Sequence, residues 1–585
     1  MDGVPQMSGF LNVDASLTGR RWIGPDPEHQ RAADMLAQRA DLPGPVAQVL
    51  ARRGVAPEEA GGFLAPSLRD LLPDPRGLRD MEAAAQRLNA AVAGRERIAI
   101  FADYDVDGGS SAALLIDWLR QQGARATLYV PDRIDEGYGP NPEAISVLAA
   151  DHDLILCVDC GTLSFEALAA GSAADIVVLD HHLGGETLPN VLAVVNPNRQ
   201  DEDGALAHLC AAAVVFLCLV EAGRQLRVAR RQGPDLMAML DLVALATVAD
   251  VAPLVGVNRA FVRQGLRVMA RRDRPGLAAL ADVARLDTAP VAYHLGYVLG
   301  PRINAGGRIG QADLGARLLA TADPNEAAAL AERLDTLNTE RRDVEAAVRA
   351  AALTQAEARG LDAPLAWAAG PGWHPGVVGI VASRLKETAN RPSIVIGVED
   401  GIGKGSGRSV SGIDLGAPIQ RLAAEGLLIK GGGHKMAAGL TVAEDMIAPA
   451  MERLAELLAR QGADRIGPRD LRLDGMMMPG AATPELVDAI EAAGPFGAGA
   501  PAPRYAFADM QIFNARIVGE SHLKISFGDS TGPRLDAIAF SAMEGPLAAL
   551  HAHGGRRFHL AGRVEINTWQ GRRSAQLRLE DAAPA

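Results

Sequence analysis

Asp103, Asp105 and Asp107 stand at alternate positions, directly after the apolar run Ile98-Ala99-Ile100-Phe101-Ala102 and directly before Gly108-Gly109. An unbroken apolar run of this length reads as a buried strand. If strand geometry continues, the three carboxylates face one side. Like charges so close repel, and a divalent cation is the simplest device that holds them together. The bland alternative is an acidic loop with a solvated face. Two more apolar runs end in the same fashion. Leu154 to Val158 ends in Asp159, before Cys160-Gly161, and Ile176 to Leu179 ends in Asp180-His181-His182. Adjacent histidines cannot face one way on a strand, so the chain turns there. A fourth apolar segment, Met237 to Val248, leads to Asp250, which reads either as a further ligand or as a helix cap. Asp and His donors together suit Mn²⁺, Mg²⁺, Zn²⁺ or Fe²⁺.

A second set of residues suits phosphate. The loop from Pro131 to Gly139 carries Arg133 and Tyr138 after another strand, Ala126 to Val130. Arg302, Asn304 and Arg308 lie in a glycine-rich basic segment that reads either as closing over a phosphate or as bridging domains. His374 lies in Trp373-His374-Pro375-Gly376, a loop that runs into a helix. Ser406 and Arg408 lie in Lys404-Gly405-Ser406-Gly407-Arg408-Ser409, and Gly433 and His434 in Gly431-Gly432-Gly433-His434-Lys435. Cations, hydroxyls and exposed backbone amides are phosphate-binding chemistry, and glycine lets the backbone approach a ligand. Each cluster alone reads equally as a tight turn. Near the C-terminus, Arg504, Tyr505, His522, Lys524, Trp569, Arg572 and Arg573 are interleaved with short alternating strands, a composition that suits a strand-binding face.

The elements that must carry these residues follow from length and pattern. A chain of 585 residues requires several cores. The pattern predicts a helical lead-in over 1–90 and a parallel-sheet α/β catalytic domain over 91–315. A long connecting helix over 316–360, a smaller α/β domain over 361–465 and a β-barrel over 466–585 follow. Sites in open α/β sheets form at the carboxyl ends of the strands, where the aspartates stand. A net charge of −13 excludes a uniformly basic nucleic-acid coat but leaves room for a local basic groove. Nothing at the start reads as a secretory signal and no stretch is apolar enough to span a bilayer, so a cytoplasmic protein is expected. Cys157 and Cys160 have the spacing of a redox or zinc pair. Cys157 lies inside an apolar run and no second pair follows, so buried thiols are the better reading.

With these pieces in place, the chain from Phe63 to Asp581 resembles the bacterial RecJ family, single-stranded-DNA-specific exonucleases of the DHH phosphoesterase superfamily. The motifs that carry the resemblance are Asp103-Tyr104-Asp105-Val106-Asp107-Gly108, Glu136-Gly137-Tyr138-Gly139, Val158-Asp159-Cys160-Gly161, Asp180-His181-His182 and Thr247-Val248-Ala249-Asp250. The resemblance implies a DHH domain and a DHHA1 domain with two Mn²⁺ or Mg²⁺ ions between them, plus an added oligonucleotide-binding (OB) barrel. It implies Asp105, Asp107, Asp159, His181 and Asp250 as ligands, His182 and Asp103 as outer or substrate-facing residues, and Asp180 as the group orienting the histidines. Arg302, Asn304 and Arg308 resemble positions at the domain cleft, while His374, Ser406, Arg408, Gly433 and His434 match DHHA1 motifs that contact phosphates. Implied too are processive 5′ to 3′ hydrolysis releasing 5′-mononucleotides, and a role in DNA repair and recombination. The implied partners are single-stranded-DNA-binding protein and repair helicases, with the chain itself a monomer. Two departures stand out. Phe101 replaces a histidine used by the related pyrophosphatase branch, which argues against that activity. Ala500 replaces a family asparagine. The rivals are a phosphodiesterase for short or cyclic dinucleotides, against which the barrel argues, and a lapsed DNA-binding scaffold, against which the retained aspartates and histidines argue.

Overall fold

The computed structural model describes residues 9–132, 136, 137, 139–467, 469–530 and 532–585. Arg133 and Tyr138 therefore lie outside the described residues. The chain divides into two compact units, one of residues 68–466 and one built from the segment up to 67 together with 467–585.

The larger unit begins with a five-stranded parallel sheet in the order Ala126–Tyr129, Ile98–Ala102, Leu154–Val158, Asp175–Leu179, Ala193–Val195. Every residue of Ile98–Ala102 and Leu154–Val158 is buried. Helices cover both faces of such sheets, so their strands read as continuous apolar runs. The register sets what comes next. Ala102 pairs with Val158, Val158 with Leu179, and Leu179 with Val195. The residues that follow these four, Asp103, Asp159, Asp180 and Asn196, leave the sheet along one edge.

The strand geometry expected for Asp103, Asp105 and Asp107 is not what forms. The strand stops at Ala102 and a helix, Val106–Gln121, starts almost at once. Asp105 is its N-cap, accepting from the backbone N–H of Asp107 (2.9 Å) and Gly108 (3.1 Å), and Asp107 lies in its first turn. Capping the exposed N–H groups of the first turn is strongly favourable for Asp, so the helix begins earlier than the glycines suggest. Gly108 is required there because a Cβ would meet the Asp103 carbonyl oxygen at 2.3 Å.

The long helix is Pro324–Arg359. Its first half contributes Leu330, Leu334 and Leu337 to the interior of the first domain. Its second half lays Val348, Ala352 and Ala356 against Val377, Val381 and Val395 of the second domain. That domain is a mixed five-stranded sheet in the order Lys430–His434, Ala437–Ala443, Ile402–Arg408, Ser393–Glu399, Ala366–Pro371. The two glycine clusters that read either as phosphate-binding backbone or as tight turns lie on strands: Gly407 pairs with Ala438 and Ala438 with Gly433. The glycine-rich basic segment Arg302 to Gly310 is largely helix (Gly300–Ile309). Its glycines serve packing: a Cβ on Gly307 would lie 2.0 Å from the Tyr104 ring.

The helical lead-in expected over 1–90 is divided differently. Helix Met81–Gly94 belongs to the larger unit, but the segment up to 67 folds with the barrel. Strand Arg21–Ile23 pairs in parallel with Asp470–Arg472. Trp22 is fully buried, its indole N–H donating to Asp581 at 3.0 Å. Leu36, Val46 and Leu50 enter the same core as Phe507, Phe527 and Leu560. Pairing of three-residue strands from opposite ends of the chain leaves no local signal. In the barrel sheet, Tyr505 is corrected as a strand-facing residue, since it is buried and its hydroxyl donates to the Pro45 carbonyl at 3.2 Å.

Candidate metal centre

The edge defined by the strand register gathers the residues singled out in the sequence. Three overlapping groups place one donor atom per residue within 4.8 Å of one another: Asp103, Asp105 and Asp159; Asp107, His181 and Asp250; and Asp159, His181 and His182. His181 Nε2 is the hub. It lies 3.3 Å from Asp159 Oδ1, 3.6 Å from Asp107 Oδ2 and 3.8 Å from Asp250 Oδ2. Asp159 and Asp107 are buried, and Asp159 Oδ1 has no hydrogen-bond partner. Asp159 also holds a left-handed backbone, φ 59°, a conformation that costs energy for a side chain other than glycine.

The electrostatics show how unbalanced this edge is. Burial, then the charges of Asp107, Asp105, Asp103 and Asp180, push the Asp159 carboxyl well above the carboxylate range. Burial raises Asp107 too, against the pull of His181. Burial and the charges of Asp107 and Asp105 push Asp250 up to about 8. Hard oxygen donors joined by one imidazole fit Mn²⁺ or Mg²⁺. An ion with bonds of about 2.1 Å has ligands roughly 3 Å apart, the scale seen around His181. The orphaned, buried Asp159 oxygen is what such an ion would satisfy.

Supporting bonds fix the donors. Asp107 accepts from the backbone N–H of Ala211 and Ala212, both at 2.7 Å, at the start of helix Ala211–Val228. That helix end stabilises the carboxylate charge. Asp180 accepts from the N–H of His181 (2.7 Å) and His182 (3.2 Å), from the His182 ring Nδ1 (2.8 Å), and from Thr162 through its N–H (3.0 Å) and hydroxyl (2.6 Å). Burial pushes the Asp180 carboxyl up, but the bonds from His182 and Thr162 reverse this and hold it far below the usual range. In return, against its own burial, Asp180 raises His182 to about 9. Asn196 donates to Thr162 Oγ1 and to the His182 carbonyl, both at 2.8 Å, and Asn198 donates to the His181 carbonyl at 2.5 Å. Sequence reasoning missed the roles of Thr162, Asn196 and Asn198. The only signal was their position just past strand ends.

Asp103 and His182, read as outer or substrate-facing residues, also lie within the donor groups. Asp250 stands at the end of helix Leu240–Ala249, so it is both the residue that closes a helix and a member of the cluster.

The phosphate-type residues are distributed unevenly. Asn304 accepts from the Val106 N–H at 3.0 Å, which braces the helix start beside Asp105. Arg302 pairs with Asp335 at 2.8 Å and donates to the Val298 carbonyl, so its guanidinium is committed to the long helix and not aimed at a ligand. Arg308 donates to the Gly376 carbonyl at 3.1 Å, at the start of helix Pro375–Ala389, and His374 caps that helix through the Gly376 N–H. Gly379, one turn on, packs against Ser406 and Arg408, whose Nη2 would lie 3.3 Å from a Cβ there. A continuous path of contacts thus ties the Asp103–Asp105 loop, through Tyr104, Gly307, Arg308 and Gly376, to Arg408. Gly433 (φ 150°) and the exposed His434 pair with Ala438 and Ala437. In the smaller unit, Lys524 pairs with Asp536 at 3.0 Å, and Trp569 is 71% exposed at a hairpin end.

The family description "DHH family, N-terminal domain" matches residues 97–247, "DHHA1 domain" residues 362–460 and "RecJ OB domain" residues 473–581. The chain is 39% identical over 576 residues to the single-stranded-DNA-specific exonuclease RecJ of Dickeya dadantii, covering 93% of this chain and 96% of that protein. It is 36% identical over 568 residues to the RecJ of Escherichia coli, with the same coverage. Among solved structures, RecJ of Thermus thermophilus in complex with Mn²⁺ superposes with a TM-score of 0.79 at 29% identity, covering 96% of this chain and 79% of that one. A manganese-bound exonuclease RecJ gives 0.58 at 35% identity, over 66% of this chain and 95% of that one.

Proposed function

The chain belongs to the RecJ family, and from that membership and the geometry of its metal centre we propose the following account of its chemistry. The protein is a metal-dependent exonuclease that hydrolyses phosphodiester bonds in single-stranded DNA with Mn²⁺ or Mg²⁺ as cofactor. The observation that carries this reading is the cluster of buried carboxylates around His181, with the Asp159 oxygen unsatisfied.

Two ions are our reading, supported by the overlap of the three donor groups. Asp103, Asp105 and Asp159 would hold one, and Asp107, His181 and Asp250 the other, with Asp159 within reach of both groups through His181. Bound there, the ions supply an activated water and neutralise charge on phosphoryl oxygens. Asp180 engages His182 Nδ1, which leaves Nε2 to face the reacting water or the leaving oxygen. Arg408 and His434 hold the phosphate of the scissile nucleotide and its neighbour, Arg408 through its planar fork. Arg302 and Asn304 brace the site from behind. Hydrolysis runs 5′ to 3′ and releases 5′-mononucleotides. Single-stranded-DNA-binding protein and repair helicases are the proposed partners of a monomeric enzyme.

The test is digestion of a single strand labelled separately at each end, with Mn²⁺, with Mg²⁺ and with chelator. The 5′ label should leave first, as a mononucleotide, and only with metal. Early release of the 3′ label would reverse the polarity, and digestion under chelation would remove the metal mechanism.

A further inference from the structure

Helix Ala292–His294 continues through a π-helical turn, Leu295–Leu299, into Gly300–Ile309. π-Turns are rare and often mark functional sites. On this stretch Tyr293 and Tyr297 stack on each other, ring centroids 5.0 Å apart and planes 24° from parallel, yet they are 52% and 71% exposed. The other described tyrosines are engaged: Tyr104 and Tyr505 are buried and the Tyr129 hydroxyl donates to Glu136. His294 sets the pair in place. Its Nδ1 accepts from the Val291 N–H at 3.2 Å, and its ring meets Tyr293 edge-on at 6.0 Å.

The backbone that carries these rings is packed against two of the elements that bear metal-centre residues. A Cβ on Gly296 would lie 3.4 Å from Val248 Cγ1. One on Gly300 would lie 3.3 Å from the Ala249 Cβ and 3.8 Å from Val106 Cγ2. Asp250 follows Ala249, and Asp107 follows Val106.

We propose that Tyr293 and Tyr297 form a base-stacking platform, in which a nucleobase of the single-stranded substrate lies on the outer face of Tyr297 and holds the strand in register with the metal centre. The inference rests on the proposed function. Two near-parallel rings present a flat π-face, the shape of a base, and not a groove for a helix or an extended peptide. The neighbouring donor groups act on phosphodiesters, so nucleotides are what this surface meets. Each base in the interior of a duplex already has both faces covered, so the platform serves an unstacked strand and adds to single-strand selectivity. Base–aromatic stacking is sequence-tolerant and of a size that matters for affinity.

The experiment uses the full chain with Mn²⁺ and a 12-nucleotide strand in which one abasic position is moved stepwise from the digested end. For the parent, one abasic position should raise KM about tenfold. Tyr297→Ala should show a similar rise on the intact strand and no further penalty at that position. Tyr297→Phe should behave as parent. Tyr297→Leu keeps apolar bulk without the ring and should follow alanine; it decides the matter by the same criteria if the alanine variant is poorly folded. The platform is overturned if no abasic position matters to a parent that digests the strand, or if the penalty persists undiminished in the variants. A parent with no metal-dependent digestion of any strand would instead overturn the proposed function.

Discussion

The edge of the parallel sheet and the face of the C-terminal barrel both carry the charged residues that a nuclease needs, but they treat charge in opposite ways. At the sheet edge Asp107 and Asp159 are both buried around His181, and Asp159 Oδ1 has no hydrogen-bond partner. On the barrel each candidate cation with a described ion pair is answered by an acid of the same unit: Lys524 by Asp536, Arg504 by Glu580 at 2.5 Å, and Arg573 by Asp488 at 2.6 Å. Charge left unbalanced in the interior is costly and points to a missing counter-charge. Charge balanced at the surface is cheap to keep and says little about a ligand. The predictions below probe that contrast, starting where the imbalance is greatest.

Asp159→Asn should reduce hydrolysis to background while raising the melting temperature of the chelated protein. The same carboxylate that a metal needs must, without metal, either carry an uncompensated buried charge or take up a proton at a cost to folding, and function and stability then pull apart. Turnover within tenfold of the parent, or a lower melting temperature under chelation, would refute the assignment.

The metal-free protein should lose stability between roughly pH 6.5 and 8.5. Asp250 is held near 8 in the fold against an ordinary value of 3.8, and Asp159 and Asp107 are displaced in the same direction. Over this window the folded state retains protons that the unfolded chain has lost, so rising pH favours unfolding. His182, raised to about 9 from an ordinary 6.5, acts with the same sign. Burial lowers His208, His294 and His559, whose opposing effect falls mainly below this window. Melting under chelator should drop with pH, and Mn²⁺ should raise it most at the alkaline end. A flat or rising metal-free profile would break the account.

Arg408→Ala should lower turnover about a hundredfold while leaving Mn²⁺ binding in place. Lysine should rescue it poorly because it lacks the fork. Calorimetric loss of Mn²⁺ binding would place Arg408 against the ions instead. Asp180→Asn should cost somewhat less, about ten- to a hundredfold, with weakened metal affinity, since it acts by orienting His182 and the turn that carries His181.

Legibility in the sequence follows the same division. Asp103, Asp159, Asp180 and the histidines were readable because apolar runs end abruptly in groups that have no apolar reason to be there. Their arrangement was less so. The three carboxylates read as one face of a strand, whereas capping by Asp105 starts a helix between them. Arg302 to Gly310 read as a segment that closes over a phosphate or bridges domains; it is largely helix, in which Gly307 makes room for Tyr104, Arg302 is spent on Asp335 and Arg308 reaches the Gly376 carbonyl. The union of the N-terminal segment with the barrel was invisible, since Trp22 and Asp581 are joined only by tertiary structure. Thr162, Asn196 and Asn198 have the composition of any loop, and only the strand register reveals their task.

The smallest expected effect belongs to the barrel, and it sharpens the comparison most. Lys524 and Trp569 were both expected to touch the strand. Lys524 is paired with Asp536, so a phosphate would have to compete with a carboxylate already in place. Lys524→Ala should therefore raise KM for long strands by no more than about twofold, and the dependence of affinity on salt should change by less than the roughly 0.7 expected per phosphate contact on a single strand. Trp569 offers a neutral ring instead: it is 71% exposed, and stacking needs a ring face and no counter-charge. Trp569→Ala should cost more than Lys524→Ala, on long strands and not on dinucleotides, with an unchanged salt slope. Measuring KM against strand length at several salt concentrations for both variants separates the two. If Lys524→Ala costs a full phosphate contact, its ion pair is open to exchange with the substrate, and paired surface charge is then no guide to which cations a nucleic acid can claim.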